Sequence, residues 1–265
     1  MHIVRANGID ICYDTRGEGP FLILSHSLAC DRTMWDAQMG ELVKAFRVVR
    51  YDTRGHGRSS APAGPYSLDL LAEDLRALLG QLGIEKTHFA GLSMGGMIGQ
   101  VFAIKYPHVF QTLVLCDTTS MYPPETAGIW EERIQTAREK GTSALVESTL
   151  ARWFTEPFRK RRPDVMSQFG DLIAGTPVEG YIGCSQALVQ INVTEHLRKL
   201  KLPGLVMVGE HDRGTPVGMA RVIHQNLPNS ELAIIRDAGH ISNVEQPEEF
   251  TKLLLQFLLK HQHLK

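Results

Sequence analysis

Gly91-Leu92-Ser93-Met94-Gly95 constrains this chain more than any other stretch, because it sets one serine at the centre of a G-x-S-x-G pattern. Thr87-His88-Phe89-Ala90 before it reads as the end of a short strand, and Met94 through Tyr106 after it as a helix that Pro107 closes. A strand that turns this sharply into a helix strains its turn residue and leaves that side chain exposed at the apex. Glycines are needed on either side because the backbones crowd there and leave no room for a Cβ. The helix start also aims backbone N–H groups at whatever the serine attacks. The flanks favour a nucleophile at Ser93 over a tight turn that merely contains a serine.

The same alternation of strand and helix runs through most of the chain. Ile3–Val4 and Ile9–Tyr13 flank Asn7-Gly8, a hairpin signal. Phe21–Leu24 is an apolar run followed by a polar loop from Ser25 to Arg32, Met34 to Phe46 has helical periodicity, and Arg47–Tyr51 reads as a strand. Leu68, Leu71, Leu75, Leu78, Leu79 and Leu82 share one face of an amphipathic helix. Thr112–Cys116 is the next strand. Strands alternating with helices predict a mostly parallel sheet covered on both faces.

That rhythm stops near Thr119, and from there to about Val193 the sequence reads helical. It resumes with a strand at Leu205–Val208, a helix around Pro216–Asn226, a strand at Leu232–Ile235 and a last helix from Pro247 to Lys260. The simplest organisation is an α/β core over residues 1–119 and 194–265, with a helical cap inserted over 120–193. The basic run Arg159-Lys160-Arg161-Arg162 in the cap reads as a solvated face.

Composition narrows the partners. The 265 residues carry a formal net charge of −1, which suggests neither nucleic acid nor an anionic membrane. No apolar run reaches the length of a membrane span, and the first residues lack a signal-peptide pattern, so a cytoplasmic location is expected. Cys12, Cys30, Cys116 and Cys184 are scattered, as buried free thiols would be.

A serine hydroxyl needs a base, and histidine is the usual one. In an open parallel sheet, functional groups gather beyond the carboxyl ends of the strands. Of eleven histidines, His240 follows the last strand directly, in Arg236-Asp237-Ala238-Gly239-His240; His26 and His211 are the competitors, and His2, His88, His108, His224, His261 and His263 fall in strand starts or on helices. The carboxylate that orients the base should also follow a strand. Asp212 in Gly209-Glu210-His211-Asp212 is favoured over Asp117, to which capping of the first cap segment falls. The oxyanion of the intermediate needs two preorganised donors. Met94 N–H is one, and Leu28 N–H, in the loop Ser25-His26-Ser27-Leu28, is the expected other. No metal-ligand spacing stands out beyond a weak His211-Asp212 pair, and the chemistry calls for no metal and no organic cofactor.

With these residues placed, the chain resembles the α/β-hydrolases from about residue 8 to 260, which implies an eight-stranded, mostly parallel sheet with a cap. Tyr51-Asp52-Thr53-Arg54-Gly55-His56-Gly57-Arg58-Ser59 is similar to a structural loop of that family. Thr33-Met34-Trp35-Asp36, Gly91-Leu92-Ser93-Met94-Gly95-Gly96 and Ile241-Ser242-Asn243-Val244-Glu245-Gln246 resemble the 3-oxoadipate enol-lactone hydrolases more closely. So do Trp130 with Arg133, Arg152-Trp153-Phe154, and Glu179-Gly180-Tyr181 with Cys184 in the cap. Ser27-Leu28-Ala29-Cys30-Asp31 departs from the Ser-Leu-Gly-Thr-Asp usual in that subfamily. The resemblance implies a small carboxylated lactone as substrate, with Arg133 as its cationic partner and Trp130 as an apolar wall. A carboxylesterase or C–C bond hydrolase on the same triad, and a non-catalytic receptor, are the alternatives.

Overall fold

The computed structural model describes residues 1–262, so His263 lies outside the described residues. Eight strands form one sheet: β1 (His2–Ala6), β2 (Ile9–Arg16), β3 (Phe21–Ser25), β4 (Arg47–Tyr51), β5 (Thr87–Leu92), β6 (Phe110–Cys116), β7 (Gly204–Gly209) and β8 (Ser230–Ile235). Their spatial order is β1-β2-β4-β3-β5-β6-β7-β8. The first hairpin is antiparallel and β2 pairs antiparallel with β4, while every later pairing is parallel. Asn7 and Gly8 take φ of 45° and 77°, the left-handed pair that a two-residue hairpin turn demands. Strands β5 and β7 are buried from end to end, which is why β7 is a continuous apolar run; in β5 the buried His88 is partnered by Thr112 Oγ1 at 2.9 Å.

The core helices are α1 (Asp36–Leu42), α2 (Leu68–Gln81) and α3 (Met94–Lys105) in the first part, then α9 (Thr194–Leu197), α10 (Val217–Asn226), α11 (Ser242–Glu245) and α12 (Pro247–Lys260) in the second, with the cap helices α4 to α8 between them. Helix α1 packs on α12, where Trp35 meets Phe250 with ring centroids 6.0 Å apart, while α2 packs on α3 and α10 on β7 and β8. Helix α1 is shorter than the periodicity of Met34–Phe46 predicts. Asp31 accepts the Thr33 N–H at 2.8 Å and starts a 3₁₀ turn, Arg32–Trp35, ahead of it. After Leu42 the chain turns to meet the loop around Gly17 and Gly19, whose missing Cβ atoms leave room for the Val43, Ala45 and Phe46 backbone. Arg47 N–H then donates to Pro20 O at 2.9 Å, and β4 begins.

The cap helices, between β6 and α9, are α4 (Ala127–Lys140), α5 (Val146–Trp153), α6 (Glu156–Arg161), α7 (Pro163–Gly175) and α8 (Val178–Leu188). The two crossings into this cap are tied together by a bridge between Met121 and Asn192 and by Val193 N–H donating to Ser120 O at 2.9 Å. Helix α8 sits directly on the loop after β4. A Cβ on Gly180 would collide with the Gly55 backbone, and one on Gly183 would strike the Tyr66 ring.

This backbone-on-backbone seat gives a first prediction. Gly180→Ala should destabilise the protein by about 1–3 kcal/mol despite the better helix propensity of alanine, since the clash is with main chain that cannot rotate away. Gly80→Ala on the exposed face of α2, where a Cβ meets nothing within 4 Å, should instead gain about 0.5–1 kcal/mol. Urea unfolding midpoints of the two variants decide it, and equal behaviour would refute the seat.

Candidate active site

Ser93 stands between β5 and α3 with φ 54° and ψ −112°, a conformation that L residues rarely hold. Its backbone is pinned on both sides: Ser93 N–H donates to Cys116 O at 2.8 Å, and Thr118 Oγ1 donates to Ser93 O at 2.8 Å. Side chains are absent where the turn is tightest. A Cβ on Gly91 would overlap the Gly95 carbonyl, one on Gly95 would overlap Ser25, and one on Gly96 would crowd Thr118.

Three side chains brought from distant loops meet here in one line. Ser93 Oγ lies 2.9 Å from His240 Nε2, and His240 Nδ1 lies 2.9 and 3.0 Å from the two Asp212 oxygens. All three residues are buried. The Asp212 carboxylate also accepts Gly214 N–H at 2.6 Å, Thr215 N–H at 2.9 Å and Thr215 Oγ1–H at 2.9 Å. Those donors stabilise its charge without water and leave an oxygen facing the imidazole. With Nδ1–H turned toward Asp212, His240 Nε2 is free to take the Ser93 proton. The cap helps to place the base, since His240 N–H donates to Trp153 O at 2.7 Å. Glu245 accepts Thr155 N–H at 3.0 Å and Gly239 N–H at 2.5 Å, clamping the same loop from the other side.

Asp117 requires a correction. It does not cap the first cap segment: it is fully buried, accepts Gly209 N–H at 2.8 Å and Ser242 Oγ–H at 2.5 Å, and so links the loops that carry Asp212 and His240. Burial above all, and then the neighbouring Asp212 carboxylate, push its carboxyl well above the usual range.

Leu28 and Met94 flank the same space, and among the described residues neither N–H has a protein partner. Gly95 N–H is taken by His26 O at 3.1 Å and Ala29 N–H by His56 Nε2 at 3.0 Å, which leaves Leu28 and Met94 as the free donors of this stretch. Ser27, Leu28, Ala29, Ser93 and His240 line a narrow cavity of about 30 Å³, walled on the cap side by Trp130, Arg133, Trp153 and Tyr181. Arg133 donates to Tyr181 Oη at 3.1 Å and to Thr149 Oγ1 at 2.6 Å, and Trp130 packs edge-on against Tyr122.

A second guanidinium lines this cavity that sequence reasoning passed over. Arg152, on α5, donates only to Gly214 O at 3.3 Å. Among the described residues neither arginine has a carboxylate partner. Burial, and then the charge of Arg133, pull Arg152 below the ordinary guanidinium range. In the sequence it stands in the Arg152-Trp153-Phe154 stretch of the resemblance with no role attached to it, and on α5 it follows Thr149 by one turn.

The competing histidines do other work. His26 is buried and accepts Thr53 N–H at 2.9 Å, and His211 is exposed beside Glu210. Glu210, His211 and Asp237 bring three ligand-type atoms within 4.8 Å of one another on the surface, a grouping that the sequence did not suggest because Asp237 comes from another loop. In the basic run, Lys160 and Arg162 are exposed and pair with Glu156 and Asp164.

The sequence profile described as the alpha/beta hydrolase fold matches residues 20–247. The chain belongs to this family. It is 36% identical over 249 residues to 3-oxoadipate enol-lactonase 2 of Acinetobacter baylyi, covering 93% of this chain and 92% of that one. The crystal structure of the enol-lactonase from Burkholderia xenovorans superposes with a TM-score of 0.94 at 36% identity, over 97% of this chain and 100% of that chain. A putative carbamate hydrolase, RutD, of Stutzerimonas stutzeri is 29% identical over 91% of this chain and 92% of its own length. The protein is a hydrolase, and no helix among the described residues is long and apolar enough to cross a membrane.

Two sets of measurements follow from this geometry. Ser93→Ala should lower kcat by about 10⁴–10⁶ with the fold intact. Asp212→Asn should cost about 10⁴ by misplacing the imidazole proton. Asp117→Asn should cost far less, because its amide oxygen can still accept Gly209 N–H while its NH₂ donates to Ser242 Oγ, and neither contact involves the His240 ring. Steady-state kinetics showing the reverse order would transfer the orienting role to Asp117.

Stability should also fall with acidification. Burial lowers His56 to about 3 and His88 to about 4, so both are neutral when folded but become protonated in the unfolded chain below about 6.5. The unfolded state then binds more protons, and each histidine removes about 1.4 kcal/mol per pH unit between its unfolded and folded values. Urea midpoints at pH 7, 6 and 5 should decline in step, and a flat profile would contradict the buried, neutral state.

Proposed function

We propose that the protein is a lactonase that opens a small anionic enol-lactone of the 3-oxoadipate type through an acyl-enzyme on Ser93. The observation that carries this reading is the pair Arg133 and Arg152, two guanidiniums without carboxylate partners that line the same cavity as Ser93 and His240. A carboxylate arm on the substrate would supply the missing counter-charge, and guanidinium is suited to bind it through two parallel hydrogen bonds. Similarity to 3-oxoadipate enol-lactonase 2 and to the Burkholderia enol-lactonase supports the same choice.

In this mechanism Ser93 Oγ attacks the ring carbonyl carbon while its proton passes to His240 Nε2, and Asp212 stabilises the imidazolium. The carbonyl oxygen becomes an oxyanion that accepts hydrogen bonds from Leu28 and Met94 N–H. Collapse breaks the ring C–O bond and releases the enolate oxygen, leaving the acyl group on Ser93. The enolate takes up at carbon the proton that His240 Nε2 received from Ser93 and becomes the ketone, which leaves His240 neutral. Water then gives a proton to His240 and attacks the acyl carbon, and His240 returns that proton to Ser93 Oγ as the acid departs. An enolate is a good leaving group, so orientation and oxyanion stabilisation carry most of the rate. No metal enters any step.

The purified protein should hydrolyse the enol-lactone faster than a neutral aryl acetate. Arg133→Met keeps the aliphatic bulk, removes the charge, and should lose about 2–5 kcal/mol of kcat/KM for the carboxylated substrate. Little should be lost for a neutral ester of similar size. Equal losses on both would make Arg133 a packing residue, and outright preference for the neutral ester would replace the lactonase with an esterase. The likeness to a putative carbamate hydrolase favours one further reading, and a carbamate turned over faster than the lactone would establish it.

A further inference from the structure

His56 is buried, does not touch the cavity, and has no part in the steps above, yet its imidazole is aimed at the loop that supplies Leu28 N–H. Ser27 to Cys30 form a tight turn closed by Cys30 N–H donating to Ser27 O at 3.2 Å. Ala29, third in that turn, has φ 57°, a left-handed conformation that glycine adopts freely and alanine does not. Something must hold it there. His56 Nε2 accepts Ala29 N–H at 3.0 Å, while His56 Nδ1 lies 3.2 Å from Arg54 O and so carries the ring proton. If the Leu28–Ala29 peptide flipped, a carbonyl oxygen would face the lone pair of Nε2, which repels it. Holding is mutual: His26, the residue before this turn, reaches back to accept Thr53 N–H at 2.9 Å, and the two rings lie 5.3 Å apart.

We propose that His56 is a positioning residue for the oxyanion hole, fixing Ala29 in its left-handed turn so that Leu28 N–H faces the reacting carbonyl. This rests on the reading above that Leu28 donates to the oxyanion. Burial holds the His56 imidazole down to about 3, so it remains a neutral acceptor throughout the neutral range. The chain-specific element is Ala29: with glycine there, the turn would hold without help.

The test compares wild type, His56→Ala, His56→Gln and the double variant Ala29→Gly/His56→Ala, each corrected for titrated active sites. Substrates are the enol-lactone and a neutral aryl acetate, and the probe is an arylboronate that forms a tetrahedral adduct on Ser93. His56→Ala should lower kcat on both substrates by about 10²–10³, the effect of losing one oxyanion donor. KM should change little, and arylboronate affinity should fall by a similar factor. His56→Gln, which retains an acceptor for Ala29 N–H, and the double variant, whose glycine accepts the turn, should each recover part of the loss. A folded His56→Ala with wild-type kcat and boronate affinity overturns the proposal. So does a loss of kcat without loss of boronate affinity, or a double variant no better than the single one. If His56→Ala does not fold, His56→Gln against Ala29→Gly/His56→Gln repeats the comparison. A wild type that ignores the lactone but cleaves the ester defeats the lactonase reading alone, and the ester series still decides the role of His56.

Discussion

The turn at Ser93 keeps its left-handed φ because β5 and α3 close on each other with no Cβ between them, at Gly91 and Gly95. That close approach sets the remaining geometry. With Gly95 bare, the loop after β3 can lie against the start of α3, so that His26 O reaches Gly95 N–H and Leu28 comes up beside Ser93. With Gly96 bare, Thr118 can reach Ser93 O from the end of β6. A methyl group at any of the three would separate chains whose hydrogen bonds are at 2.8–3.1 Å, and the strain at Ser93 would then have nothing to oppose it.

The segment after β6 extends this bracing to the other two loops. Cys116 O and Thr118 Oγ1 hold the Ser93 backbone, while the Asp117 carboxyl holds Gly209 and Ser242. Gly209 ends the strand that delivers Asp212, and Ser242 follows His240 by two residues. Three consecutive residues therefore reference the hydroxyl, the carboxylate and the imidazole to one point in the sheet. Asp117 itself has φ 45°, another non-glycine residue at positive φ, held by its three hydrogen bonds to Met207, Gly209 and Ser242 rather than by its own preference.

What was legible in the sequence was whatever local patterning determines. Asn7-Gly8 dictated its hairpin, Pro107 and Pro247 fixed helix ends close to where they stand, and the G-x-S-x-G elbow placed Ser93. His240 and Asp212 were legible because strand ends are marked by apolar runs breaking into glycine and charge. Long-range contacts left no such mark. Helix α1 is cut short by the loop at Gly17–Gly19, many residues earlier in the chain. The partners of Asp117 lie 92 and 125 residues away, and the bond from Ala29 to His56 spans 27. Arg152 looked like an ordinary helix cation, and only its place on the inner face of the cap distinguishes it from Arg162, which is exposed and paired.

The cap's charges and its attachment to the core belong together. Helix α5 contributes both Arg152 to the cavity and Trp153 O to the His240 backbone, so the residue that would meet an anionic group and the one that places the base are neighbours. Moving α5 outward would withdraw the cation and loosen His240 at once. Two guanidiniums held close under partial burial repel each other and lose hydration, a cost that their hydrogen bonds to neutral acceptors, Tyr181, Thr149 and Gly214 O, offset only in part. A bound carboxylate would relieve the repulsion and strengthen the hold of α5 on the core. On the proposed lactonase reading, substrate charge would thereby act on the position of His240, tying recognition of the remote group to chemistry at the carbonyl.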